Sequence, residues 1–174
     1  MQKRTTPSEA LLRKYPEQVV LVTTRSADGR PNVMAVGWVA IASSDPPMFV
    51  LGIDDGAYTY ELITRTKEFV VAFPSERMAR ETLFAGSHSG RDKDKFAEAG
   101  IGAEPAALVK APLVADAVAN FECVLVEISR PGDCPLVMGK VVAAHAHEDT
   151  SLRRLYTTAK GHTLGGVRAA AGGE

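Results

Sequence analysis

Six apolar runs rich in β-branched residues, separated by proline and glycine breaks, constrain most strongly what this chain can fold into. Val19–Thr24 is the first, and Ala27-Asp28-Gly29-Arg30-Pro31 behind it carries Asp-Gly, a strong hairpin signal. Asn32–Ala42 is the second. Ser43-Ser44-Asp45-Pro46-Pro47 breaks it, because proline cannot donate to a ladder. Met48–Ile53, Phe69–Phe73 (stopped by Pro74), Phe121–Ser129 and Leu136–His147 complete the set, the last two parted by the turn Arg130-Pro131-Gly132-Asp133. Between the strands the period changes. Tyr58–Thr66 reads as a helix with Leu62 and Ile63 as its apolar residues, and Ser75 as the N-cap of a second helix whose buried stripe is Met78, Leu83 and Phe84. Asp92–Ala99 reads as a short helix ended by Gly100, and Thr150–Ala159 as another. Ile101–Val118 shows little periodicity, while Gly165-Gly166 and Gly172-Gly173 mark a loose end. These elements connect by hairpins and short crossovers, not by regular βαβ units. The expected architecture is therefore mainly β: an antiparallel, closed or nearly closed sheet with short inserted helices. No Gly-x-Gly-x-x-Gly follows a strand and there is no Walker-type loop, which argues against a standard dinucleotide-binding domain.

The 174 residues suit one domain, with its core over about residues 15–147 and a tail over 148–174. Twenty basic against twenty-one acidic residues leave a net charge of −1 with no basic run, which points away from nucleic acid or a membrane surface as partner. No apolar stretch approaches the roughly 20 residues of a membrane span. Met1-Gln2-Lys3-Arg4-Thr5-Thr6 leads into no apolar leader core, and Cys123 and Cys134 have no metal or redox spacing. The expectation is a cytoplasmic protein with reduced thiols.

Three segments in order carry a resemblance: Asn32-Val33-Met34-Ala35-Val36-Gly37-Trp38; Asp45-Pro46-Pro47 with Gly56-Ala57-Tyr58-Thr59-Tyr60-Glu61-Leu62-Ile63; and Ser89-Gly90-Arg91-Asp92-Lys93-Asp94-Lys95-Phe96. It continues through Ala111-Pro112-Leu113, Phe121-Glu122-Cys123 and Gly139-Lys140-Val141-Val142. Together they resemble the flavin reductase-like family, which includes the flavoredoxins. The resemblance implies a Greek-key split β-barrel that forms a homodimer, with FMN near the subunit interface. NAD(P)H would deliver hydride to the flavin, which passes electrons to an acceptor that the sequence does not name.

FMN requires a flat slot, polar groups for its ribityl chain, and cations or N–H groups for its phosphate. The strand ending at Val36 and Gly37 offers backbone groups to a ring edge, and the small Gly37 lets a ring approach. Asn32 suits the ribityl chain or ring and Trp38 a wall of the slot; a turn-flanking asparagine and a core tryptophan are the plainer alternatives. Thr59 lies in the first turn of a helix, where free N–H groups and the dipole favour a phosphate, and can equally be a cap. Lys95, with Arg91, can supply positive charge to the phosphate, or belong to a solvated charge run; the family motif favours Lys95.

Three departures stand against the family pattern. Asp54-Asp55-Gly56-Ala57 replaces a small residue followed by Pro-Gly-Arg, so an arginine is missing at Ala57 and two carboxylates stand near the expected phosphate. Cys134 stands where the family commonly has histidine, beside the flavin, as an inert small residue or a reactive thiol. His162, in Gly161-His162-Thr163-Leu164-Gly165, stands where the family often has an aromatic that covers the flavin. His145 and His147 share a strand face but lack a third metal ligand, and Ser87-His88-Ser89 is no hydrolase elbow. The two functions in contention are an FMN-dependent oxidoreductase and a non-enzymatic barrel that binds flavin or another small ligand.

Overall fold

The computed structural model describes residues 1–168. A short helix, α1 (Pro7–Leu11), precedes β1 (Glu17–Gln18), β2 (Val20–Arg25), β3 (Pro31–Val36), β4 (Val39–Ser44) and β5 (Pro47–Gly52). Helix α2 (Tyr58–Thr66), β6 (Glu68–Pro74), a 3₁₀ turn over Glu76–Met78, α3 (Ala79–Ser87) and α4 (Lys95–Ala99) come next. The chain continues through β7 (Ala103–Glu104), β8 (Leu113–Val114), β9 (Ala117–Ser129), β10 (Leu136–Ala146), β11 (Leu155–Ala159) and β12 (Thr163–Gly166).

Seven strands form one antiparallel sheet in the order β3-β2-β6-β9-β10-β5-β4. Its two edge strands, β3 and β4, are consecutive in the chain and joined only by Gly37 and Trp38. Three peptide steps span at most about 10 Å, so the sheet must curl until its edges nearly meet. No ladder joins them, and the result is a barrel with an open seam at Gly37-Trp38.

Strand periodicity explains how the barrel is filled and covered. Val20 and Val22 of β2 point into a core with Val36, Phe49, Leu51, Phe69, Val71 and Val137. Leu21, on the opposite face, packs with Val33, Ala72, Met78, Ala85 and Phe96 beneath α3 and α4. Because both faces are covered, the first half of β2, Val20–Val22, is apolar without alternation. Phe49, Phe73 and Phe121 meet edge to face or tilted, with centroids 5.2–6.0 Å apart. A buried carboxylate, Glu122, accepts from the N–H groups of Ala107 (2.8 Å), Leu108 (2.6 Å) and Val109 (2.9 Å) and contacts His145 Nε2 at 2.6 Å. It thereby anchors a loop that carries little regular structure.

The mainly β, antiparallel expectation agrees with this architecture, and α2 has the predicted bounds. Four local readings are corrected. The run Asn32–Ala42 is two strands, because the chain turns the barrel's seam at Gly37-Trp38. Thr150–Ala159 is no helix: Leu155–Ala159 is a strand between β1 and β12, with Leu155 and Thr157 buried on one face. The β-branched pair Thr157-Thr158 fits that pleat. Gly165-Gly166 is part of β12, and Gly172-Gly173 lies outside the described residues. Of the expected stripe Met78 is buried, just before α3, whereas within α3 the buried residues are Thr82 and Ala85, Leu83 being exposed and Phe84 half-buried.

Candidate functional site

A cleft of about 650 Å³ opens at the seam of the barrel. Its floor is the end of β3, from Met34 to Gly37, with Gly52 of β5. Thr82, Gly86 and Ser87 of α3 form one wall; Trp38 and Cys134 form the other. Tyr15 and the β11–β12 hairpin, through Thr157, His162 and Leu164, close over the mouth. Gly52 packs closely here: a Cβ on it would lie 3.0–3.1 Å from the Trp38 side chain, which would have to shift, and 3.5 Å from Cys134 Sγ.

A second cavity of about 310 Å³ adjoins the first; Met34, Asp54, Gly86 and Ser87 line both. Its end is formed by the start of α2, the Ser87–Gly90 loop and Lys95. Helix α2 has no side-chain cap, and its first backbone bond runs from Glu61 N–H to the Ala57 carbonyl, so the earlier N–H groups stay free. Asn32 spends both amide protons on hydroxyls, Thr24 Oγ1 at 3.0 Å and Thr59 Oγ1 at 2.9 Å. The Thr59 hydroxyl therefore accepts from Asn32 and keeps its own proton to donate. Lys95 is 3% exposed and donates to the carbonyls of Ala85 (2.9 Å) and His88 (3.0 Å), which leaves one N–H. Burial brings its pKa down to about 8, so it remains mostly cationic at neutral pH. Two enclosed polar atoms in these walls, Asn32 Oδ1 and Thr82 Oγ1, have no hydrogen-bond partner. Gly90 closes against Asn32, where any Cβ would collide with Oδ1.

Eight of the nine sequence-predicted residues line these joined cavities: Asn32, Val36, Gly37, Trp38, Thr59, Lys95, Cys134 and His162. Arg91 lines neither; its guanidinium pairs with Glu61 at 2.8 Å and lies over the Tyr58 ring at 5.1 Å. Trp38 is no core residue, being 60% exposed. Thr59 is no cap, since Ala57 holds that position. The Cys134 thiol is pushed up by burial, then by the carboxylates of Asp133, Asp54 and Asp55, which disfavours a reactive thiolate. The acidic pair splits: Asp55 turns away to Arg130 at 2.7 Å, while Asp54 accepts from Gly56 N–H at 2.8 Å and lines both cavities. His145 faces Glu122, whereas His147 Nδ1 accepts from Asp149 N–H at 2.9 Å. Sequence reasoning missed Thr82 and Gly90. Gly90 stood inside a quoted motif, but Thr82 had no signal, because helix period alone does not say which neighbour a face meets.

Free helical N–H groups, a hydroxyl with a spare proton and a buried ammonium suit an anion the size of a phosphate. The neighbouring cleft, floored by a strand and a glycine, suits a planar group. A ligand with both parts, joined by a polar chain, fits the pair of cavities.

The profile of the flavin reductase like domain matches residues 12–164. This chain belongs to the flavin reductase-like family. An uncharacterized protein of Pyrococcus abyssi is 38% identical over 129 residues, 74% of this chain and 73% of that protein. A flavin reductase of Pseudomonas putida is 26% identical over 153 residues, covering 84% of this chain and 83% of its own length. The crystal structure of a flavoredoxin from Methanosarcina acetivorans superposes with a TM-score of 0.86 at 26% identity, over 99% of this chain and 95% of that one. The fold of this family member is the split barrel, with the split at the β3–β4 seam.

Proposed function

We propose that this chain is an FMN-dependent oxidoreductase that takes hydride from NAD(P)H and passes electrons to an acceptor. One observation carries the reading: a phosphate-sized polar pocket and a strand-floored cleft share walls, in the spatial order that FMN requires. The α2 N-terminus, Thr59 and Lys95 would hold the phosphate. Asn32 Oδ1 and Thr82 Oγ1 supply orphan polar atoms for the ribityl chain or its bound water. Val36, Gly37 and Trp38 would border the ring, and Cys134 and His162 stand at its edge and mouth. When bound, the flavin supplies the redox chemistry; the protein orients it and limits water. No side chain has to act as acid or base.

We also propose that the chain works as a homodimer, supported by Trp38 and Ile41, which stand 60% and 75% exposed beside the cleft and on the edge strand β4. Flavin reductase and NADH-dependent FAD reductase are the names of two relatives, at 26% and 25% identity, which supports a nicotinamide donor.

The test is a titration of ligand-free protein with FMN, followed by flavin fluorescence, then addition of NADH or NADPH. Saturable one-to-one binding with bleaching of the flavin is the expected result. Binding without bleaching would favour the non-enzymatic flavin carrier, and no binding would overturn the flavin reading and leave a barrel for a different small ligand. Asp54 is the feature that favours a different ligand, since its carboxylate lines both cavities.

A further inference from the structure

A third cavity, of about 230 Å³, lies at the start of α3 and shares no lining residue with the two described above. The segment leading into α3, the end of α4, the β8–β9 turn and the chain after β10 enclose it. Two polar atoms in its walls are shut off from solvent and have no hydrogen-bond partner: Ser75 Oγ and Glu81 Oε2. Ser75 is 1% exposed. It stands at the N-cap of the 3₁₀ turn, yet its hydroxyl makes no cap bond. Its carbonyl accepts from Met78 N–H at 2.9 Å and its backbone bridges to Arg154, so the hydroxyl is the group it leaves unspent. Glu81 has no ion-pair partner among the described residues, and neither has Asp116 at the exposed rim. The two basic residues of the lining are both engaged by Asp149: Arg77 lies 3.9 Å from its carboxylate, and His147 Nδ1 accepts from its N–H at 2.9 Å. The unmet capacity of this cavity is therefore for hydrogen-bond donors, and an enclosed carboxylate oxygen without one is costly. The rest of the lining is apolar, with Met78 and Ile101 buried and Leu152 half-buried. No three His, Cys, Asp or Glu side chains gather as metal ligands among the described residues, so the cation that suits this cavity is an organic one.

We propose that this cavity is a second ligand site, for a small organic cation of the primary-ammonium class. An ammonium carries three N–H donors and no acceptor, which matches a wall whose free groups are a carboxylate oxygen and a hydroxyl. It would donate to Glu81 Oε2 and Ser75 Oγ through charge-assisted bonds, with Asp116 adding negative charge at the rim. Its alkyl body would lie against Met78, Ile101 and Leu152. Water could meet the two polar atoms, but it would gain nothing from the apolar side. The site stands independently of the flavin reading, because none of its residues holds the proposed flavin.

The experiment titrates the full chain with n-butylammonium chloride at fixed pH and ionic strength, followed residue by residue in amide NMR spectra. Sodium butyrate and n-butanol serve as anionic and neutral probes of the same length. The expected result is saturable shifts in the millimolar range that cluster on Ser75, Glu81, Ile101 and Asp116, with little response to the other two probes. Glu81→Gln should weaken butylammonium binding about tenfold or more, the worth of one charge-assisted hydrogen bond. Asp116→Asn, at an exposed position that the fold does not depend on, should weaken it about two- to fivefold and carries the test if Glu81→Gln loses the parent's spectrum. Glu127→Gln, an exposed carboxylate near the other end of β9, leaves the affinity as it was. No saturation, equal binding of n-butanol, preference for butyrate, or undiminished affinity in the folded variants would each overturn the proposal, the first by showing a cavity that holds water alone.

Discussion

The ammonium of Lys95 sits against the carbonyls of Ala85 and His88 at the C-terminal end of α3, with one N–H left for a ligand. Because burial has already lowered its pKa to about 8, an arriving phosphate must raise it again. FMN affinity should therefore be flat below pH 8 and weaken as pH rises above it, by up to tenfold per unit, until the pKa of the complex is reached. Lys95→Met removes both the cation and the slope; fluorescence titrations between pH 7 and 9.5 should show affinity about 10- to 100-fold weaker at neutral pH, the worth of a charge-assisted hydrogen bond. Glu122 has the opposite sign. Burial pushes its pKa up, but hydrogen bonds from the Ala107 N–H, from His145 and from the Leu108 and Val109 N–H groups outweigh this and hold it below the ordinary carboxylate range. Its contribution to stability is therefore present above an unfolded pKa of about 4.3 and lost as pH falls through the folded value. Glu122→Gln turns an amide N–H toward backbone donors. Urea unfolding at pH 7 should show a loss of about 2–4 kcal/mol, with a shallower acid limb than the parent.

At the scale of elements, the uncapped start of α2 is the feature that would separate FMN from riboflavin under the proposed function. Free N–H groups, the helix dipole, the Thr59 hydroxyl and Lys95 all converge on the pocket that would take the phosphate. Riboflavin should bind at least about 100-fold more weakly than FMN, measured by competition, which follows from losing two or more charge-assisted contacts. Similar affinities would move the phosphate out of this pocket. The strands that carry the site were legible because β-branched runs and proline breaks act locally, and α2 was legible to the residue for the same reason. What escaped was decided at a distance. Trp38 read as a wall of the slot or as a core residue, and what decides between them is that it sits where two sheet edges face each other across a seam, a fact about strand order and not about its neighbours in sequence. Lys95 belonged to a run of alternating charges that usually marks a solvated face. It is buried because Phe96 anchors α4 beneath α3, which turns the preceding residue toward the α3 carbonyls. Leu155–Ala159 was misread because its partners, β1 and β12, are too short to announce a sheet.

For the whole molecule, the open seam leaves β4 as a sheet edge with Ile41 and Trp38 uncovered, next to a cleft that should hold a large planar ligand. An exposed edge with large apolar side chains attracts association unless a partner covers it. A second copy is the partner proposed here, and a stable pairing buries about 800 Å² on each side, with such side chains at its centre. Ile41→Asp puts a charge into that centre without touching the residues that line the cavities. Sedimentation should show a dimer for the parent chain and a monomer for the variant at micromolar concentration. If the partner completes the flavin cleft, the variant also binds FMN more weakly, and the parent's affinity falls on dilution below the dimer constant, because ligand binding and association are then linked. A monomeric variant with undiminished FMN affinity would show instead that each barrel holds its flavin alone, and that the dimer serves only to cover β4.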